Sequence, residues 1–268
     1  MTADTEEWER ERLRHPMFGE SMSKDNMAEC WERSSGTYSF DRYYTIRDSI
    51  INDLSELDVL NKGRCVLDIG CGPGTFAIPM SRYVKSVTCM DGSSGMLKRL
   101  AENADTDNIY PLEADWNEYV PDGSYDVAFT SLCPPTNSPE SLMKMEKCTG
   151  NTCVYISSIN NDDSIHIKIW KKLGKNYSYV GYNTEYPYRF LKSIGRDAEM
   201  RTYSQKSDIE LSYDAAFKGE ISRLSQYIEC DENVNTAVRS VLDAHSKDGV
   251  VRYCSDMTLG MIVWNPTG

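Results

Sequence analysis

Three glycines at alternate positions, behind an aspartate, are the residues best placed for chemistry in this sequence. The run is Val66-Leu67-Asp68-Ile69-Gly70-Cys71-Gly72-Pro73-Gly74-Thr75. An apolar β-type run ends at Asp68-Ile69, and apolar residues resume at helical spacing with Phe76, Ala77, Ile78 and Met80. That order predicts a strand, a tight turn and a helix N-terminus, where α/β proteins hold nucleotides. Gly70 can adopt backbone angles closed to other residues, and Gly72 and Gly74 leave room for a ligand against the backbone. Asp68 can accept from an ammonium group or from the turn's own amides. The third glycine falls one place too early for the dinucleotide fingerprint G-x-G-x-x-G.

Two more acidic positions follow at the ends of predicted strands. Residues 86–90 read as a buried strand ending at Asp91-Gly92, about 20 residues past the turn, where an acidic side chain accepts from ribose hydroxyls. A helix opening at residues 93–97 places Met96 nearby, as a cofactor contact or as core filler. A third strand over 109–113 leads to Asp115 and Trp116, and a fourth over 125–131 ends at Ser131.

The acidic residue with G-x-G-x-G, followed by Asp91 and then Asp115-Trp116, resembles the class I S-adenosylmethionine-dependent methyltransferases. The resemblance covers residues 31–159 well and 249–265 weakly. It implies that Asp68, Gly70, Cys71, Gly72 and Gly74 hold the methionine part of the cofactor. Asp91 and Gly92 would take the ribose, Met96, Asp115 and Trp116 the adenine, and Ser131 would lie beside the reactive methyl. Residues 30–38 resemble a segment that closes over the cofactor in many small-molecule members. By that likeness Tyr38 touches the methionine end and Arg33 pairs with its carboxylate; otherwise Trp31 and Tyr38 only staple the extension to the core. The implied cofactor is S-adenosyl-L-methionine, leaving as S-adenosyl-L-homocysteine.

The elements that must position these residues divide the chain. Residues 1–57 read as a helical extension or lid, with Ile46, Ile50, Ile51, Leu54 and Leu57 forming an apolar stripe. Residues 58–159 alternate strands and helices and predict an α/β, doubly wound, mostly parallel Rossmann-like core. A long insertion over 160–248 carries strand six at 199–203 and helices at 214–227 and 233–245, and reads as a substrate cap. Residues 249–268 complete a seven-stranded sheet whose last strand is antiparallel, as the resemblance implies.

Acceptor chemistry is less legible. Ser131-Leu132-Cys133-Pro134-Pro135-Thr136-Asn137 departs from the N/D-P-P-Y motif of nitrogen methylation, because a thiol accepts hydrogen bonds poorly. Cys133 and Tyr186 are candidate substrate contacts. His166, just after strand five, is the candidate general base, since histidine exchanges protons near neutral pH. A lone histidine on a helix surface is, however, usually structural.

Composition narrows the partners. The 268 residues carry a net charge of −12, which argues against a large nucleic-acid footprint. Lys168, Lys171, Lys172 and Lys175 around Trp170 form one basic patch and read as a solvated helix face. No apolar run is long enough to span a bilayer. Nine cysteines without a C-x-x-C pair predict free thiols, no metal site and a reducing cytoplasm. The expected activity is methyl transfer to a small-molecule acceptor at O, N or S. A protein or RNA acceptor, or a non-catalytic cofactor-binding subunit, are the alternatives. The tyrosine-rich stretch 177–188 is left open as a lid or as a homodimer interface.

Overall fold

The computed structural model describes residues 3–15, 18, 29–33, 35–36, 44–160, 165–175, 177, 182–225 and 227–266. Tyr38 and Tyr179 lie outside the described residues, so the role expected of Tyr38 has no structural counterpart here. Four parallel strands form the heart of the sheet: β1 (Cys65–Ile69), β2 (Ser86–Asp91), β3 (Ile109–Glu113) and β4 (Tyr125–Ser131). β5 (Thr149–Asn160) continues the parallel set. β8 (Val250–Trp264) then runs antiparallel between β5 and β6 (Glu199–Ser212). The sheet order is β3-β2-β1-β4-β5-β8-β6. These are the expected seven strands and the expected reversed last one. A two-residue strand, β7 (Ser246–Lys247), adds an eighth by folding back on β8 through Asp248-Gly249, both at positive φ.

Strand alternation feeds two cores. Val66, Val87, Val127 and Phe129 point to one face, where α3 (Tyr44–Glu56) contributes Ile46, Ile50, Ile51 and Leu54. α4 (Ala77–Ser81) and α5 (Ser94–Asn103) pack on that same face. Leu67, Ile69, Ala128 and Tyr155 point to the other, under α6 (Pro139–Cys148) and α8 (Glu185–Ser193). Both faces are covered, so the strands read as apolar runs rather than half-polar alternations. The helix after the glycine turn is short, because residues 71–76 are spent on the turn.

The stretch 160–248 splits between two places. α8 packs on the sheet. α7 (Ile165–Lys172), α9 (Tyr213–Leu224) and α10 (Glu232–Asp243) build a separate apolar cluster around Trp170, Leu224 and Val238. They sit on a ribbon formed where β6 and β8 outrun the sheet. Ser204 pairs with Thr258, which also faces Asn160 at the end of β5, and β6 continues to Ser212. Strand six is therefore much longer than the expected 199–203. Its outer half carries Lys206, Asp208 and Glu210, whose charges disguise a strand paired along its whole length by β8. Helix α9 starts where expected, with the Ser212 hydroxyl accepting from the Ala215 amide.

α1 (Ala3–Arg12) lies against α8 and the end of β4. The indole of Trp8 is buried and donates to Asn137 Oδ1 (3.3 Å), and Asn137 donates in turn to the Tyr155 hydroxyl (2.8 Å). Arg189 of α8 pairs with Asp4 and Glu7. Residues 29–33 form a short helix, α2, that sits at the N-terminus of α5.

One close approach ties β8 to the start of α8. The Thr184 hydroxyl donates to Ser157 O (2.9 Å), and a Cβ added at Gly260 would stand 2.8 Å from Thr184 Cβ. Gly260→Ala is expected to lower stability by about 1–3 kcal/mol through this overlap, read as a shifted urea midpoint with an unchanged slope.

Candidate active site

A cleft of about 1000 Å³ opens where β1, β2, β3 and β4 end. It lies at the point where the strand order reverses between β1 and β4, the position that binds ligands in open α/β sheets. The glycine turn forms its floor. Gly70, Gly72 and Gly74 take φ of 72°, 54° and 91°, a region that favours glycine. A Cβ at Gly70 would fall 2.4 Å from Cys133 Sγ, so this backbone must pass bare beside the loop after β4. A Cβ at Gly72 would meet nothing within 4 Å, which leaves open space over the turn.

Asp91 holds the turn in place. Its two carboxylate oxygens accept from Gly72 N and Ser93 N, each at 2.9 Å. Each oxygen keeps a further lone pair toward the cleft, an arrangement suited to two adjacent hydroxyls. Ser93 caps α5 by accepting from the Met96 amide (3.1 Å). Glu32 of α2 reaches the same helix start, accepting from Ser93 Oγ (2.6 Å) and Gly95 N (3.1 Å). Those bonds hold its carboxyl below the usual range. Glu32 thus anchors the segment that brings Trp31 to the cleft, while Arg33 is exposed.

Met96, Gly92, Asp115, Trp116, Ser131 and Cys133 all line the cleft, together with Cys71. Asp115 accepts from Asn117 N (2.8 Å), which fixes its carboxylate. Trp116 is locked by a bond to Ser141 Oγ (2.8 Å), and the Lys144 ammonium stands 4.7 Å above its ring. Burial pushes the Cys133 thiol up to about 12, so it is no nucleophile at neutral pH. Leu132 takes φ of 49°, which turns the chain sharply out of β4.

Four expectations change. Asp68 is 2% exposed and sits behind the turn, outside the cleft wall. Burial, then the Asp91 carboxylate, push its carboxyl up to about 8. Gly74 lies under the turn, where a Cβ would overlap Leu100 and Ile78. Tyr186 is buried against α1 and donates to Glu7 (3.3 Å), so it faces the extension and not the cleft. His166 is 1% exposed and lies in the cap core. Its Nε2 accepts from Trp170 Nε1 (3.0 Å), so Nδ1 carries the proton toward Glu220 (2.8 Å). With both nitrogens engaged away from the cleft, His166 is not the base there. Burial lowers its pKa in spite of Glu220.

Sequence reasoning missed Thr5, Glu9 and Arg12, which present one face of α1 to the cleft. Charged residues surround that helix, so no apolar stripe marks it. It also left Thr75 unassigned, although Thr75 ends the glycine run and lines the cleft.

A cleft at the switch point of a doubly wound sheet is where proteins of this fold class hold their ligands. Residues 66–149 match the family described as a methyltransferase domain. Over 121 residues the chain is 33% identical to a 23S rRNA (uracil(1939)-C(5))-methyltransferase of Aliivibrio salmonicida. That alignment covers 42% of this chain and 27% of the relative, so the chain spans about a quarter of that protein's length. Among solved structures, one described as a methyltransferase of Bacillus halodurans superposes with a TM-score of 0.55 at 13% identity, covering 81% of this chain and 99% of the other. A DhpI–SAM–HEP complex gives 0.50 at 13%, covering 67% and 94%. At these identities the structural likenesses establish the fold. Residues 66–149 are thus similar to a methyltransferase domain, for which the sequence motifs imply S-adenosylmethionine as the cofactor.

The residues present fit that cofactor. Thr75 Oγ1 is buried with no hydrogen-bond partner among the described residues, beside the open space at Gly72. Asp91, Glu113, Asp115 and Glu140 make the wall acidic, which suits a cationic sulfonium ligand.

Two measurements check these assignments. A carboxyl raised to about 8 holds a proton that the unfolded chain releases near 4, so its contribution is full at low pH and lost as pH rises toward 8. Asp68→Asn is therefore expected to remove a decline on the order of 1 kcal/mol per pH unit between pH 5 and 8, read from urea denaturation at stepped pH. His166→Ala is expected to lower the melting temperature while leaving S-adenosylmethionine affinity within two-fold, read by calorimetry.

Proposed function

We propose that this protein transfers a methyl group from S-adenosylmethionine to a small-molecule acceptor. The observation that carries the reading is the cleft itself. Its floor and inner wall carry a glycine-rich turn, a two-oxygen acceptor at Asp91 and a pinned aromatic at Trp116. Its outer wall is closed by α1 and α2, through Trp8 and Glu32. A wall built close over the reacting edge suits a compact acceptor better than a folded polymer.

When bound, the cofactor supplies an electrophilic methyl on a sulfonium. The protein's own part is to orient and to exclude water. Asp91 would take the ribose hydroxyls, Trp116 and Met96 would flank the adenine, and the turn at Gly70–Gly72 would face the methionine end. Ser131, Leu132 and Cys133 would shape the space beside the methyl. The cleft holds no histidine among the described residues, so an acceptor proton would leave to solvent or to a wall carboxylate.

Likeness to an rRNA methyltransferase supports an RNA acceptor as the second reading. Against it stand the net charge of −12 and the acidic cleft wall, since RNA binding needs clustered cations.

Titration calorimetry with S-adenosylmethionine and S-adenosylhomocysteine is expected to show micromolar binding of both, and absence of binding would overturn the reading. Asp91→Ala is expected to weaken both about 10- to 100-fold, the worth of charge-assisted bonds to two hydroxyls. Homocysteine release with small acceptors against rRNA fragments then separates the two acceptor classes.

A further inference from the structure

Arg12 is the one guanidinium that lines the cleft among the described residues. It lies on the α1 wall of the cleft that the glycine turn also lines, with Thr5 and Glu9 on the same helix face. Glu9 takes one side of it: Nε donates to Oε2 (2.8 Å) and Nη2 to Oε1 (2.7 Å). The Phe18 ring lies under it, with its centroid 4.9 Å from Cζ. These contacts fix the plane of the group and use two of its five N–H donors. Nη1 has no partner among the described residues. The end-on pair, Nη1–H with the second Nη2–H, is thus free, held in a fixed plane and on the cleft wall. The other cation in the wall, Lys144, is committed to Trp116 O and Asn117 O.

A guanidinium oriented on one edge and open on the other is built for a planar anion. Carboxylates match the spacing of the two end-on donors. The rest of the wall is acidic and repels an anion, so such a group would be admitted at Arg12 and nowhere else along the described cleft. Glu9 balances the Arg12 charge, so the free edge selects by its paired N–H donors, and the two-point pairing keeps Arg12 from swinging toward Asp91 or Glu140.

Building on the methyltransferase reading above, we infer that the acceptor carries a carboxylate, which binds the free end-on edge of Arg12 and so points the nucleophilic end of the acceptor toward the cofactor. Arg12 is then a specificity-determining residue, and α1 is part of the acceptor site.

The test uses the full chain saturated with S-adenosylhomocysteine. A panel of small aromatic and aliphatic carboxylic acids, each paired with its uncharged primary amide, is titrated by calorimetry. The expected result is that acids bind and their amides do not. Arg12→Gln should weaken the acids at least ten-fold and leave S-adenosylhomocysteine affinity within two-fold. Arg12→Lys, which keeps the charge and loses the fork, should fall between. An unchanged thermal midpoint in Arg12→Lys shows that α1 stays docked, so the ranking of the three proteins is read on folded material. Three results would overturn the inference. They are no acid binding while S-adenosylhomocysteine binds, acids and amides binding alike, and acid affinity indifferent to Arg12. Failure of S-adenosylhomocysteine itself to bind the wild-type protein would instead sink the methyltransferase reading beneath it.

Discussion

The structure depends on a backbone that must pass where no side chain fits. Between β1 and α4 the chain runs beside Cys133 on one side and over the Asp91 carboxylate on the other. The first contact forbids a Cβ at Gly70. The second needs the Gly72 amide turned toward β2. Together they register three strands at their C-terminal ends, because Gly70 N and Cys71 N also bond Met90 O (2.8 and 3.0 Å). The cleft is the space left above this crossing. Everything that shapes the cleft further, from the loop after β4 to the α1 wall, is built around that fixed floor.

Much of this was legible in the sequence because each feature obeys a local rule. Glycines at alternate positions can only serve a turn of this kind, and strands buried on both faces declare themselves as apolar runs. β3 and β4 fall on the predicted residues for that reason. Asp91 and Trp116 were readable because each stands at a strand end, a fixed distance from the turn. What stayed hidden depends on partners far away in the chain. The outer half of β6 looks polar and is a strand only because β8 pairs with it. His166 looks like a base by residue type, and only Trp170 and Glu220 show that both its nitrogens are spent. Asp68 looks like an anion, yet burial keeps it an acid.

The largest gap between sequence and structure concerns α1. Its residues are mostly charged, and they divide by face. Asp4 and Glu7 meet Arg189, Trp8 is buried against Phe190 and Asn137, and Thr5, Glu9 and Arg12 turn to the cleft. A helix can be polar all round and still be fully used, provided each face finds its own partner. Only the three-dimensional arrangement assigns those faces.

The docking of α1 also says something about how the molecule comes together. Trp8 bonds a residue 129 positions later, and Arg189 closes a loop of more than 180 residues back to Asp4. Such contacts cannot form until both ends of these long loops have been made. On a ribosome, the glycine turn, β2 and β3 are already made while α1 still has nothing to rest on. The cofactor floor can therefore assemble first, open to solvent on one side. A helix made before the sheet must wait for residues made long after it, and only then does the cleft acquire its second wall.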